Sequence, residues 1–111
     1  MPTRLEVQDA ELARSFRAAD VREQEHVADK MTQRAVAAQD RPLELPADAA
    51  QLQAVVAELD ASEDESDFRR ARAASAAAYL RDAAYEDALY EALHAHRDIS
   101  DAVADALNLL R

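Results

Sequence analysis

The chain contains no glycine, no cysteine and no tryptophan, and only three prolines, three tyrosines and two phenylalanines. Each absence removes a class of protein. Glycine normally supplies the positive-φ positions of tight hairpins, so its loss argues against β-rich folds. It also leaves no glycine-rich loop to cradle a phosphate. Without cysteine there is no disulfide framework, no thiol nucleophile and no thiolate metal site. No apolar run approaches the roughly 20 residues that span a bilayer. The opening MPTRLEVQDAELARS lacks the apolar core of a secretory signal. By elimination the expectation is a soluble, cytoplasmic protein that does not engage a membrane.

What is present is helix-forming. Half of the 111 residues are hydrophobic, but 28 of these are alanine, so the core must rest on Leu, Val and a few aromatics. Ala, Leu, Glu, Arg and Gln, all strong helix formers, dominate the composition. The predicted fold is all-α: a small antiparallel helical bundle of three to four helices, with a short extended segment at the N-terminus. At this length one domain, residues 1–111, accounts for the chain. Net charge is −10 and unevenly spread: residues 1–41 carry seven basic and eight acidic side chains, residues 42–111 six and fifteen. The acidic two-thirds should repel nucleic acid and anionic membrane, and attract a basic partner.

Residues 1–41 read as one long helix or a helix pair. Leu12, Phe16, Ala19, Glu23, His26, Lys30 and Gln33 follow a heptad seam. Asp20 and Glu23, at capping-box spacing, mark a place for a break. Residues 42–46 form a loop bounded by Pro42 and Pro46. Residues 47–111 form an acidic helical region. Its first helix, about 47–60, places Leu52, Val55, Val56 and Leu59 on one face. Ser62 or Ser66 is the expected cap of a long helix from about Asp67 to His96, with Phe68, Ala71, Tyr79, Ala83, Tyr90 and Leu93 on its apolar stripe. Asp98 or Ser100 caps a last helix whose face of Ile99, Val103, Leu107 and Leu110 is too apolar for water. That face predicts self-association, as a homodimer.

Glu23 and His26 stand three apart, as do Glu91 and His94. On a helix each such pair points one way, so both side chains reach one metal ion. The two spacings resemble those of ferritin-like di-metal bundles, and the resemblance implies a metal-dependent oxidoreductase holding iron, manganese or zinc. At about 100° per residue, however, Glu23 falls within an apolar stripe while Glu91 and His94 lie toward the polar side. Glu86 takes the stripe position beside Tyr90, where burial would raise its pKa, although a carboxylate hydrogen-bonded to the tyrosine hydroxyl is the commoner outcome there. The expectation is therefore no metal, no cofactor and no enzymatic activity. With no cysteine and serines only at 15, 62, 66, 75 and 100, no nucleophile–base–orienter set suggests itself.

Two further stretches bear on partners. In TRLEVQ, polar Arg4, Glu6 and Gln8 alternate with apolar Leu5 and Val7, the period of a strand. A strand followed by two helical stretches resembles a ribbon-helix-helix DNA-binding domain, which implies groove-facing roles for Arg4, Glu6 and Gln8. Nucleic-acid binding is thus confined to the first 40 residues. The run ELDASEDESD, residues 58–67, holds Glu58, Asp60, Glu63, Asp64, Glu65 and Asp67 with no basic residue. Helix N-termini favour such side chains, and so does a basic protein partner. The functional expectation is a small acidic protein-binding module of the inhibitor, antitoxin, immunity or phage anti-defence kind. A structural or virion assembly component is the second expectation.

Overall fold

The computed structural model describes every residue from Met1 to Arg111 and contains seven helices and no strand. They are α1 (Arg4–Gln8), α2 (Ala10–Ala18), α3 (Val21–Ala37), α4 (Ala49–Asp60), α5 (Glu65–Arg81), α6 (Tyr85–His94) and α7 (Ile99–Leu109). The all-α class holds, with more and shorter helices than the periodicity predicts. No helix is long and apolar enough to cross a membrane.

Aspartate punctuates this glycine-free chain. Asp9, Asp20, Asp48, Asp64 and Asp98 precede α2, α3, α4, α5 and α7, and each accepts a hydrogen bond from an N–H of the first turn. A cap of this kind contributes about 1 kcal/mol. Asp20 accepts from Glu23 N–H at 2.8 Å, so residues 1–41 hold separate helices that break at the predicted place. Asp64, rather than Ser62 or Ser66, caps α5.

The N-terminal segment is a correction. Residues 4–8 are not extended: Thr3 and Glu6 close a reciprocal capping box, and α1 is one helical turn with Leu5 buried and Val7 exposed. The strand on which the ribbon-helix-helix likeness rests is therefore absent. Alternation over six residues fits a helical turn as well as a strand, and the Thr-x-x-Glu cap decides between them.

The long helix expected over residues 67–96 is also two. α5 stops at Arg81, and Ala83 adopts φ 56°, the left-handed region. Ala84 N–H donates to Tyr79 O at 3.0 Å and Ala83 N–H to Leu80 O at 3.1 Å, the bond pair of a Schellman turn. Glycine usually fills this position, because a Cβ there costs roughly 1–2 kcal/mol. Ala83 is exposed, so its methyl returns no packing. Ala83→Gly is accordingly expected to stabilise the fold by about 1 kcal/mol, less what glycine adds to unfolded-chain entropy. In a domain of this size the thermal midpoint should rise by about 4 °C. A midpoint that falls would mean residue 83 is right-handed in solution.

α5 is the central element. Ala71, Ala73, Ala74, Ala76 and Ala77 are buried around its circumference, and small side chains let α4 approach from one side and α3 and α6 from the other. Leu52 of α4 meets Ala74 and Ala77 in a small satellite core. The main core joins Leu5, Leu12, Phe16, Val27, Met31, Leu89 and Leu93 from α1, α2, α3 and α6, and α7 closes it with Ala102 and Ala106. Phe68, expected on the apolar stripe, is 51% exposed. Once the helix breaks at Ala83, the stripe through Tyr90 and Leu93 belongs to another helix, and Phe68 is no longer bound to its direction.

The apolar face of α7 finds a place inside its own chain. Ile99, Val103, Leu107 and Leu110 are half-buried against the main core. The requirement that drove the expectation of a homodimer is thus met in part by the monomer.

Candidate functional site

The acidic run divides into carboxylates that the fold uses and carboxylates that it leaves free. Asp60, at the end of α4, accepts from Arg72 Nη2 through both oxygens, at 2.6 and 2.8 Å. Asp64 caps α5. Asp67 accepts from Ser62 Oγ at 2.9 Å and pairs with Arg70 and Arg41. The Ser62 hydrogen bond, with the two arginines, holds the Asp67 pKa below the usual carboxylate value. Glu58, Glu63 and Glu65 are exposed and form no ion pair. Glu63 and Glu65 flank Phe68 on the rim of a cleft of about 390 Å³ that also takes in His94, His96 and Arg69. Glu58 lies apart, with Glu44 and Leu43 in a second cleft of about 400 Å³. The run expected to act as one surface therefore reduces to Glu63, Asp64 and Glu65 around an exposed ring.

Glu91 is a second correction. Instead of facing water it is 2% exposed, clamped between two arginines. Arg4 Nη1 of α1 donates to one carboxylate oxygen and Arg72 Nη1 of α5 to the other, both at 3.0 Å. Arg4 also reaches Asp87 at 3.1 Å and lies 4.4 Å from the Tyr90 ring centroid. The Arg72 guanidinium lies 5.3 Å from the Phe68 ring. A chain of charges thus runs Asp87–Arg4–Glu91–Arg72–Asp60 across α6, α1, α5 and α4. Helical periodicity places Glu91 off the predicted stripe and toward water, but the structure buries it. That flank is covered by α1 and α5, which bring their own cations. Arginine is suited to this role because its planar fork serves two acceptors at once.

Glu86 is not a core carboxylate hydrogen-bonded to tyrosine. It is half-buried and accepts from Arg17 Nε at 2.8 Å and Nη2 at 3.0 Å. Arg17 lowers its pKa, against the rise predicted from burial. The short α6 turns Glu86 toward α2, where Arg17 waits.

Of the two Glu-x-x-His pairs, Glu23 is half-buried on α3 and His26 is exposed. Glu91 is taken by arginine, and His94 packs against Tyr90 at a tilt of 44°, with ring centroids 4.5 Å apart. No three histidine or carboxylate side chains converge where a metal ion would sit. His96, Arg69 and Arg97, none of which carries a motif in the sequence, join His94 in the cleft beside Phe68. Only their spacing at the ends of α5 and α6, once the helices are packed, brings them together. No family model, no curated protein and no solved structure matches this chain.

Proposed function

We propose that the chain is a non-catalytic, acidic protein-binding module that docks a basic partner on the start of α5. The observation that carries this reading is the pairing of Phe68, exposed on the protein surface, with the unpaired carboxylates of Glu63 and Glu65. Elsewhere in the acidic run the fold uses Asp60, Asp64 and Asp67 itself, and Glu58 stands apart in another cleft. Here it leaves both an aromatic ring and negative charge uncovered, the combination of anchor and rim that protein interfaces use. The carboxylates would speed encounter with a basic surface, and the ring would supply affinity. An inhibitor, antitoxin, immunity or anti-defence protein would work in this way, by occupying its target.

Affinity capture from host extract tests the reading with three variants beside the parent. Proteins held by the parent at low salt should be lost with Glu63→Lys/Glu65→Lys, which reverses the rim. Phe68→Ala should weaken retention by about 2 kcal/mol, roughly thirtyfold, if the ring is the anchor. Glu11→Lys/Asp82→Lys makes the same change in net charge on α2 and at the far end of α5 and should retain them. Equal capture by all four proteins would reject this face as the docking surface.

A further inference from the structure

The last residue of α6 and the turn that follows it carry two imidazoles whose Nε2 atoms are closed off from solvent and have no hydrogen-bond partner: those of His94 and His96. A neutral ring tolerates such a setting, whereas a charged one loses hydration and gains no acceptor. Both rings border the cleft beside Phe68.

The last helix is held differently from the rest. Gln39 Nε2 donates to Ala95 O at 3.0 Å, and Arg97 pairs with Asp40, so the linker secures the turn. Beyond Asp98, its own cap, no side-chain hydrogen bond or ion pair joins residues 99–111 to the body. α7 stays in place through buried Ala102 and Ala106 and its half-buried stripe alone. Local opening is drawn from elements anchored so lightly.

We propose that α7 is an acid-released latch: protonation of His94 and His96 opens the α6–α7 corner and presents Ile99, Val103, Leu107 and Leu110 to solvent while α3 and α5 remain folded. The charges around each ring support this. His94 faces Glu91 on its own helix, which favours the charged ring, and Arg4 of α1 and Arg72 of α5, which oppose it. His96 faces Asp105 of α7, which favours charge, and Arg34 of α3, which opposes it. At the cleft Arg69 and Arg97 add positive charge, and Glu63, Asp64 and Glu65 add negative charge. Burial is the largest influence on both rings and holds them below the ordinary histidine pKa.

The sign follows from linkage. The closed corner prefers neutral rings, so its stability is complete above about pH 6.5 and declines as pH falls from there through the lowered pKa values. The carboxylates held below their usual pKa, Glu86 and Asp67 among them, act in a separate window, below about pH 4.5.

Native-state amide exchange of the full chain at pH 7.5 and 5.5, expressed as protection factors, tests the latch. Protection of α7 should fall, while that of α3 and α5 holds. Proton NMR titration of the imidazoles supplies an independent check, with midpoints for His94 and His96 below about 6.5. The two measurements must agree: at full protonation the loss of protection should be roughly tenfold for each unit by which the combined midpoints are lowered. His94→Gln/His96→Gln should remove the loss. Should that variant not fold, the parent data decide alone. Unchanged α7 protection, a parallel fall in α3 and α5, or midpoints at or above 6.5 would overturn the proposal.

Discussion

Glu91→Ala is expected to destabilise the fold by about 3 kcal/mol, because it leaves two guanidinium groups facing one another with no anion between them. Arg72 is 19% exposed along its side chain and cannot turn fully to water, whereas Arg4, at 45%, can. That difference places the cost at the lower end of the range for breaking a buried pair. A small domain has only about 5–15 kcal/mol in all, so the urea midpoint should move far. The surface pair of Glu86 with Arg17 is the comparison: Glu86→Gln should cost less than about 1 kcal/mol. A double variant separates the worth of the network from the penalty of an unpaired charge. Glu91→Leu/Arg72→Leu should recover much of the loss, since replacing both members of a buried pair with apolar groups is often close to neutral. Were the double variant as unstable as the sum of its singles, the network would be contributing through independent packing, and the account of Glu91 as a clamped charge would fail.

A second large effect is expected from Phe16→Ala, at about 3–5 kcal/mol. Phe16 is 2% exposed and joins Leu5, Leu12, Val27 and Met31 in the main core. The site has little freedom to collapse around the missing ring. Gln24 Nε2 donates to the Phe16 carbonyl at 2.9 Å and to Ala19 O at 3.2 Å, which pins the α2–α3 corner from outside. A cavity should therefore persist, and cavity volume adds to the lost transfer energy. Phe68→Ala, the same chemical change at an exposed ring, should cost less than about 1 kcal/mol. Equal losses for the two, measured by urea denaturation, would contradict the assignment of one ring to the core and the other to the surface. The near-neutrality of Phe68→Ala also matters for the binding test, because it lets loss of capture be read as loss of contact.

The sequence by itself determined the helical class, and it marked a place for a break at Asp20, a proline-bounded loop, and Asp98 or Ser100 as the cap of the last helix. These are local properties: intrinsic propensity, a side chain bonding an N–H three residues on, and a ring that forbids helix before it. It also held the capping box of Thr3 and Glu6, although a two-residue alternation read as strand concealed it. The break at Ala83 carried no such mark. Alanine is the best helix former, and only the packing of α6 against α3 and α5 makes a left-handed alanine worth its strain. Tertiary structure alone decided the fate of the charges. Glu91 is buried because α1 and α5 bring arginines from 87 and 19 residues away. Glu86 meets Arg17 across 69 residues, and Glu63 and Glu65 stay free because Arg69 and Arg97, which share their cleft, pair with Asp40 instead. Helix periodicity tells which way a side chain points along its own axis, but a charge is settled by what the neighbouring helix places opposite it. That is a property of packing, and no local pattern encodes it.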